Sequence, residues 1–455
     1  MKVLTTDVTG QYWKYLAAIT AAALLLAVYS SRPIILAGIP LLAAAILFLR
    51  TPHVIMYFVT ALIFMRLDTY ISYAVSLPFG KVMASASVLC LLVILFLTGY
   101  RVNKPNMPVI VLGLFFFSYF TLGILSGNGA GVIPWLEEVL LSLICFFTVY
   151  FLANSYARVE KMLLLIFLVG MVVSFVNIYE FICPSFEEGR SAGLIENPNS
   201  AGFVVDIGMV ASLYFLWVAE KKKHVLLLLM AQLLLFFGVF TTFSRGGIII
   251  FALIFLAELV LIRGKVKKMI MVTVSAAVIA AGIIGAVRFI NTDARSSVQH
   301  SFNKISTLAR GEVDDNMRFF LLNYHLERFY RHPLTGNGLY SAKTGSEEEP
   351  YYGGAVPNGP HNTIVLIMSE AGIIPALIYM VFLFLLFRNI IRINGKRSGK
   401  YAGMKFCLMV GFFVFTAEHV FSHQILLMRY PMVLIALFAL PLRVFHQHLL
   451  REKAS

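Results

Sequence analysis

Apolar runs of membrane-crossing length divide this chain from end to end, and they constrain its fold more than any other feature. A helix needs roughly 20 apolar residues, at about 1.5 Å each, to span a bilayer. Such windows fall at 13–29, 33–49, 52–66, 82–99, 107–125, 136–153, 161–182, 198–218, 224–241, 245–262, 268–288, 361–387, 402–421 and 424–446. The third is short and meets Arg66 and Asp68 early, so twelve to fourteen spans are expected. Backbone groups in lipid have no water to bond, and the runs lack the alternation of a barrel strand, so the spans must be helices. With 59% of residues hydrophobic, 13% charged and 39 phenylalanines, the chain has too little polar surface to coat a soluble domain. The expected class is an all-α polytopic membrane protein. The first run is followed at once by a second and lacks a small-residue cleavage site, so it reads as a retained span.

A net charge of +14 would suggest nucleic acid as the partner of a soluble protein. Here the basic residues cluster between spans: Lys221, Lys222 and Lys223; Arg263, Lys265, Lys267 and Lys268; Arg388, Arg392, Lys396, Arg397, Lys400 and Lys405. Such clusters mark cytoplasmic loops, so they set topology, with the bilayer as partner and no nucleic acid. Both termini are then expected in the cytoplasm. Cys90, Cys145, Cys183 and Cys407 lie in or beside apolar runs without paired spacing, and signal neither a zinc site nor a disulfide framework.

Four segments follow: N-terminal spans over 1–182, spans with two arginine motifs over 183–288, a long extracytoplasmic loop over 289–360, and C-terminal spans over 361–455. Within the loop, Asp314 to Arg331 places apolar residues at Met317, Phe320, Leu321 and Tyr324, the pattern of an amphipathic helix across the outer mouth. His332-Pro333-Leu334-Thr335-Gly336-Asn337-Gly338 then ends it.

Three motifs open helices running inward from the external face. Arg190-Ser191-Ala192-Gly193-Leu194-Ile195-Glu196-Asn197-Pro198-Asn199 leads into the eighth span, with Asn197 as cap and Pro198 at the first helical position. Ser244-Arg245-Gly246-Gly247 opens the tenth span, and Asn358-Gly359-Pro360-His361-Asn362 opens the twelfth. Each start is expected to present unpaired backbone N–H groups and the positive end of a helix dipole. Together with two guanidinium groups they suit a phosphate or diphosphate. His361, placed in the first turn of its helix, would be held neutral there and could take a proton from a hydroxyl.

Plainer roles compete. An arginine at a span end snorkels to the interface, paired glycines let helices pack closely, and a histidine at a helix start serves as a cap. The three motifs favour function jointly because they share one face. Asp206 and Glu370 lie inside predicted spans, where an ionisable group needs a cavity or partner. Glu370, nine residues after His361 and out of phase with it, reads as a brace to a neighbouring helix. Arg318 is a candidate contact for donor or acceptor, and Glu418, His419 and His423 are weaker candidates at the outer turn.

These residues resemble the O-antigen ligase and O-antigen polymerase superfamily. The resemblance rests on Arg190, Gly193 and Asn197-Pro198-Asn199, then Ser244-Arg245-Gly246-Gly247, then Asn316 and Arg318 with Pro333, Gly336 and Gly338, then His361-Asn362 through Glu370 and Gly372. It covers about 190–388, and the family has about twelve spans. It implies a metal-independent, inverting glycosyl transfer outside the bacterial cytoplasmic membrane. The donor would be a glycan on undecaprenyl diphosphate, and the acceptor a sugar hydroxyl on lipid A-core or on another glycan unit. Arg190, Arg245 and His361 would be catalytic: the arginines on the diphosphate, the histidine activating the acceptor. Arg318, Asn197, Asn199, Ser244 and Asn362 would bind substrate, and no cofactor or metal is implied.

Two other readings stay open. A metal-dependent glycosyltransferase would want paired acids in its first outward loop, and Ser30-Ser31-Arg32 has none. A flippase or secondary transporter would want matched halves with broken helices and charges at the midplane.

Overall fold

In the computed structural model, residues 51–66, 88, 91–92, 102–126, 129, 131–182, 193–195, 197–242, 244–261, 316–341, 359–393, 399–421 and 429–445 are described; at 245, 259–261, 316–319 and 420–421 the description is of backbone alone. Among them the regular structure is entirely helical. The helices are α1 (His53–Phe64), α2 (Met107–Leu125), α3 (Val132–Leu152), α4 (Tyr156–Ile182), α5 (Pro198–Val218), α6 (Lys222–Thr241), α7 (Arg245–Leu261), α8 (Asn316–Arg331), α9 (Thr363–Ala371), α10 (Ile373–Ile391), α11 (Lys400–Phe421) and α12 (Arg429–Ala439). A short 3-10 turn, Gly193–Ile195, precedes α5. Seven of these, α2 to α6, α10 and α11, are long and apolar enough to cross a membrane, while α1, α7 and α12 are shorter apolar helices. The chain is thus an all-helical, polytopic membrane protein. The spans expected at 13–29, 33–49 and 268–288, and nearly all of 82–99, lie outside the described residues.

Burial ranks the helices. In α5, 83% of the apolar window is buried, against 33% in α6, so α5 runs through the middle and α6 along the flank. Helices α4, α6, α7 and α11 all pack on α5. A second layer forms where α12 packs on α3 and α10 on α2. Phe117, Leu227 and Phe384 are exposed on the outside, as a lipid-facing surface requires.

Contacts between helix ends define two faces of the bundle. At one, Trp217 near the end of α5 donates to the Gly399 carbonyl, Tyr156 donates to the Lys400 carbonyl, and Lys405 donates to the Ile391 carbonyl. The basic clusters at 221–223, 388–392 and 400–405 gather here. The starts of α5, α7 and α9 must lie at the opposite face, because α5 and α10 end at the first one.

The structure corrects one span. The window 361–387 is two helices, α9 and α10, separated at Gly372 with φ +85°. The loop after α8 causes the break. Asn337 N–H donates to the Ser369 carbonyl and Gly338 N–H to the Glu370 carbonyl, while Ile373 N–H donates back to the Pro333 carbonyl. The loop thus satisfies the carbonyls that α9 leaves open and the first amide of α10. Contact is so close that a methyl group on Gly372 would stand 2.2 Å from the Leu334 carbonyl oxygen, and one on Gly336 2.3 Å from Ala371 N. The amphipathic helix is α8, starting at Asn316, and it packs on α9; buried His325 Nδ1 lies 2.9 Å from Ser369 Oγ.

Candidate functional site

Each of the three motif helices starts on a side-chain cap. Asn197 Oδ1 accepts from the amides of Asn199 and Ser200, with Pro198 at the first helical position. Ser244 Oγ accepts from Gly247 N–H. Asn362 Oδ1 accepts from the amides of Ile364 and Val365. Asn197, Ser244 and Asn362 therefore hold the helix ends in shape. The caps also correct an expectation: several amides that were to be unpaired are already bonded, leaving the dipole and the remaining first-turn amides to face a ligand.

His361 is also placed differently. It precedes the cap and takes a left-handed conformation, φ +49°, so it lies outside the first turn of α9. A non-glycine residue in that region is strained by about 1–3 kcal/mol, a strain often stored at functional sites. The side chain is partly exposed, held at a kink just before the helix axis begins.

The first two motifs meet. A Cβ on Gly202, one turn into α5, would lie 3.4 Å from Ser244 Cβ, and one on Gly247 would lie 3.5 Å from Gly202 Cα. The starts of α5 and α7 therefore pack directly on each other, with Gly202 against the Ser244 and Thr242 side chains and Gly247 facing Gly202. Helix α11 packs against α5, α7 and α9 alike, so the three motif helices share one wall. At the outer end of that wall lie Glu418, buried, and His419, whose Nε2 bonds the Tyr379 hydroxyl of α10.

The other proposed site residues are placed less fully. Arg190 lies outside the described residues. Arg245 is the first residue of α7, and Arg318 lies in the first turn of α8; for both, the backbone alone is described. Asn199 is in the first turn of α5, half-buried.

Several residues near the site escaped the sequence reading. Arg66, with φ +48°, donates from Nη1 to the Ile195 carbonyl at 3.0 Å, and so pins the approach to α5 from across the bundle. Tyr119 of α2 donates to Glu370 Oε2 at 2.5 Å, which bears out Glu370 as a brace to a neighbouring helix. Tyr340 donates to Glu138 Oε1 of α3 at 2.7 Å; burial, then this bond and the Glu138 charge, push its phenol pKa up, so it remains a donor at neutral pH. The only sequence signal for Arg66 was a charge that ends an apolar window, and Tyr119 had none.

Comparison with known proteins adds one match. Residues 229–380 match the family model described as O-antigen ligase. That segment contains the Ser244 motif, Arg318, the 333–338 loop and His361, while the Arg190 motif lies before it. No curated protein matches the chain.

Proposed function

We propose, from the match of residues 229–380 to the O-antigen ligase family model, that the chain is an enzyme of the O-antigen ligase and polymerase type, which transfers a glycan from a polyprenyl diphosphate to a sugar hydroxyl at the external face of a bacterial cytoplasmic membrane. The observation that carries the reading is the packing of the α5 and α7 starts on each other, with α11 as the wall they share with α9. That arrangement supports a single anion-binding mouth formed by helix starts.

In this reading Arg190 and Arg245 grip the diphosphate, and the ends of α5 and α7 add their dipoles. The acceptor oxygen attacks the anomeric carbon from the side opposite the diphosphate, His361 takes the hydroxyl proton, and the carbon–oxygen bond to the diphosphate breaks with inversion. The leaving group departs as a stable anion, so arginines and helix ends suffice to stabilise it without a divalent ion. Arg318, Asn199 and the three capping residues contribute to the substrate-binding surface. Undecaprenyl diphosphate is the proposed carrier, and lipid A-core or a growing glycan the proposed acceptor. The clustered lysines and arginines at the opposite face support a cytoplasmic location for that end and an external one for the site. The four-segment division, 1–182, 183–288, 289–360 and 361–455, is proposed on the same grounds.

The test is transfer by purified protein in liposomes, with donor and acceptor in the same leaflet. Arg245→Ala and His361→Ala should each abolish bond formation while the protein stays inserted and folded. Near-normal transfer in either variant removes that residue from the site, and donor movement across the bilayer without bond formation establishes the flippase reading instead.

A further inference from the structure

Asp206 is fully buried on the central helix, and among the described residues neither carboxyl oxygen has a hydrogen-bond partner. A lone charge so placed is costly, and intramembrane carboxyls persist where they carry protons, ions or substrate. Its position is informative. Asp206 follows Gly202 by one turn, roughly 6 Å at about 1.5 Å per residue, directly below the contact between the α5 and α7 starts.

The helix phase gives its direction. Gly202 faces Ser244 at the start of α7, while Phe203 meets the Tyr430 ring in a tilted contact and the Val210 carbonyl accepts from Cys407 of α11. At about 100° per residue, Asp206 falls between these two faces and looks into the junction of α5, α7 and α11. Glu418, buried on α11, stands two turns beyond Gly411 on nearly the same helix face, and a Cβ on Gly411 would meet Val210 of α5 at 3.3 Å, so Glu418 rises along α11 toward the level of Asp206. Among the described residues, the other titratable or charged groups on the outer halves of the helices packed against α5 are Arg245 of α7, His419 of α11, whose Nε2 bonds Tyr379, and Tyr179 and Glu180 of α4, the latter accepting from Gly193 N–H.

Two carboxyls at one buried junction raise the cost of each other's charge, and that favours proton binding there. We propose that Asp206 and Glu418 are a proton-binding site beneath the helix starts, which takes up a proton from the aqueous phase when a diphosphate binds above and returns it when the diphosphate leaves. Only an O–H bond forms or breaks. The incoming anion raises the cost of the carboxylate charge, and protonation removes that charge. Bound diphosphate and bound proton therefore favour each other, and by linkage the coupling is reciprocal. The inference rests on the anion site proposed above, and gives it a pH sensor that differs from His361.

Inorganic pyrophosphate is the probe, titrated calorimetrically into the full-length protein in detergent at several pH values and in buffers of different ionisation enthalpy. Protons exchanged by pyrophosphate itself enter every variant equally and cancel in the comparison. Through the range where the pair titrates, affinity in the unsubstituted protein should fall with rising pH more steeply than in Asp206→Asn, by up to about tenfold per pH unit for one linked proton. The buffer-dependent part of the heat should shrink in Asp206→Asn and in Glu418→Gln, either of which reads the pair should the other fail to fold. Thermal stability of Asp206→Asn should match or exceed that of the unsubstituted protein, which a purely structural carboxyl would not allow. Equal pH slopes and equal buffer dependence in all three proteins overturn the proton site while leaving the anion site standing. Absence of pyrophosphate binding overturns both.

Discussion

Substituting Gly372 with alanine tests how the third motif is held. At φ +85° and ψ −173° the residue occupies a backbone region open almost solely to glycine, so alanine adds about 1–3 kcal/mol of strain. The new methyl would stand 2.2 Å from the Leu334 carbonyl oxygen and 2.9 Å from that of Pro333. These are backbone atoms, so no rotamer change relieves the clash and the loop must withdraw. Withdrawal breaks the bonds from Ile373 to Pro333, from Asn337 to Ser369 and from Gly338 to Glu370, of 2.9, 2.9 and 3.0 Å. At about 1 kcal/mol net for each bond, the break loses about 4–6 kcal/mol with the strain included. Relaxation recovers part of this, leaving about 3–4 kcal/mol, or a factor of roughly 100 to 1000 in the local opening equilibrium.

Hydrogen exchange read by mass spectrometry measures this directly. Peptides covering 333–341 and 369–375 should exchange faster in Gly372→Ala by that factor, while peptides from α4 and α5 stay unchanged. Glycan transfer should fall with it, because Asn362 and His361 lie at the other end of the nine-residue helix that the loop anchors. Unchanged exchange in the two peptides would refute the idea that the loop and the helix break hold each other.

Removing the Tyr119 hydroxyl in Tyr119→Phe withdraws the 2.5 Å bond to buried Glu370 and should lower stability by about 1–3 kcal/mol, read as a lower thermal midpoint in detergent. Asn362→Ala should cost about 1 kcal/mol by uncapping α9, and Asn362→Ser should recover most of it, measured by chemical denaturation. Arg66→Ala frees the Ile195 carbonyl and with it the segment leading from Arg190 to Asn197, so donor KM should rise more than kcat falls. Arg66→Lys should restore part of the loss, which a defect in α1 packing alone would not show.

The helices that sequence placed well are those whose ends carry their own signals. Windows 107–125 and 198–218 coincide with α2 and α5 because an asparagine followed within two residues by proline marks each start. The window at 361–387 joined two helices because apolar residues continue across Ala371-Gly372-Ile373, and a single glycine is tolerated inside a membrane helix. What breaks the helix there is the segment from Pro333 to Gly338, far enough away in sequence that no local pattern announces the contact. The same reason explains His361. From sequence His361 fell in the first turn because the apolar run was taken to begin there, whereas Asn362, with its side chain on two amides, takes the capping role and leaves the histidine outside in a left-handed turn.

Legibility of the site divides along similar lines. The Asn197 cap was read because an asparagine precedes Pro198 and an apolar run; Ser244 and Asn362 carry the same local signal, a polar side chain two or three residues before the amides it bonds, but their capping role emerged only in the structure. Arg66 and Tyr119 have no such local signal, since one bonds a main-chain carbonyl 129 positions on and the other a carboxyl 251 positions on. Asp206 was legible as an anomaly and became interpretable only through its neighbours: the helix phase aims it at the junction under two helix starts, where α11, the helix that carries Glu418, packs on α5 and α7. The outer ends of α5, α7 and α9 are capped, the approach to α5 is pinned by Arg66, and the far end of the short α9 is anchored by the 333–338 loop, so rigid geometry is concentrated around one face. Rigid starts suit a ligand whose charge is fixed in place, as a diphosphate's is, and they leave charge compensation to the proposed Asp206–Glu418 pair beneath them.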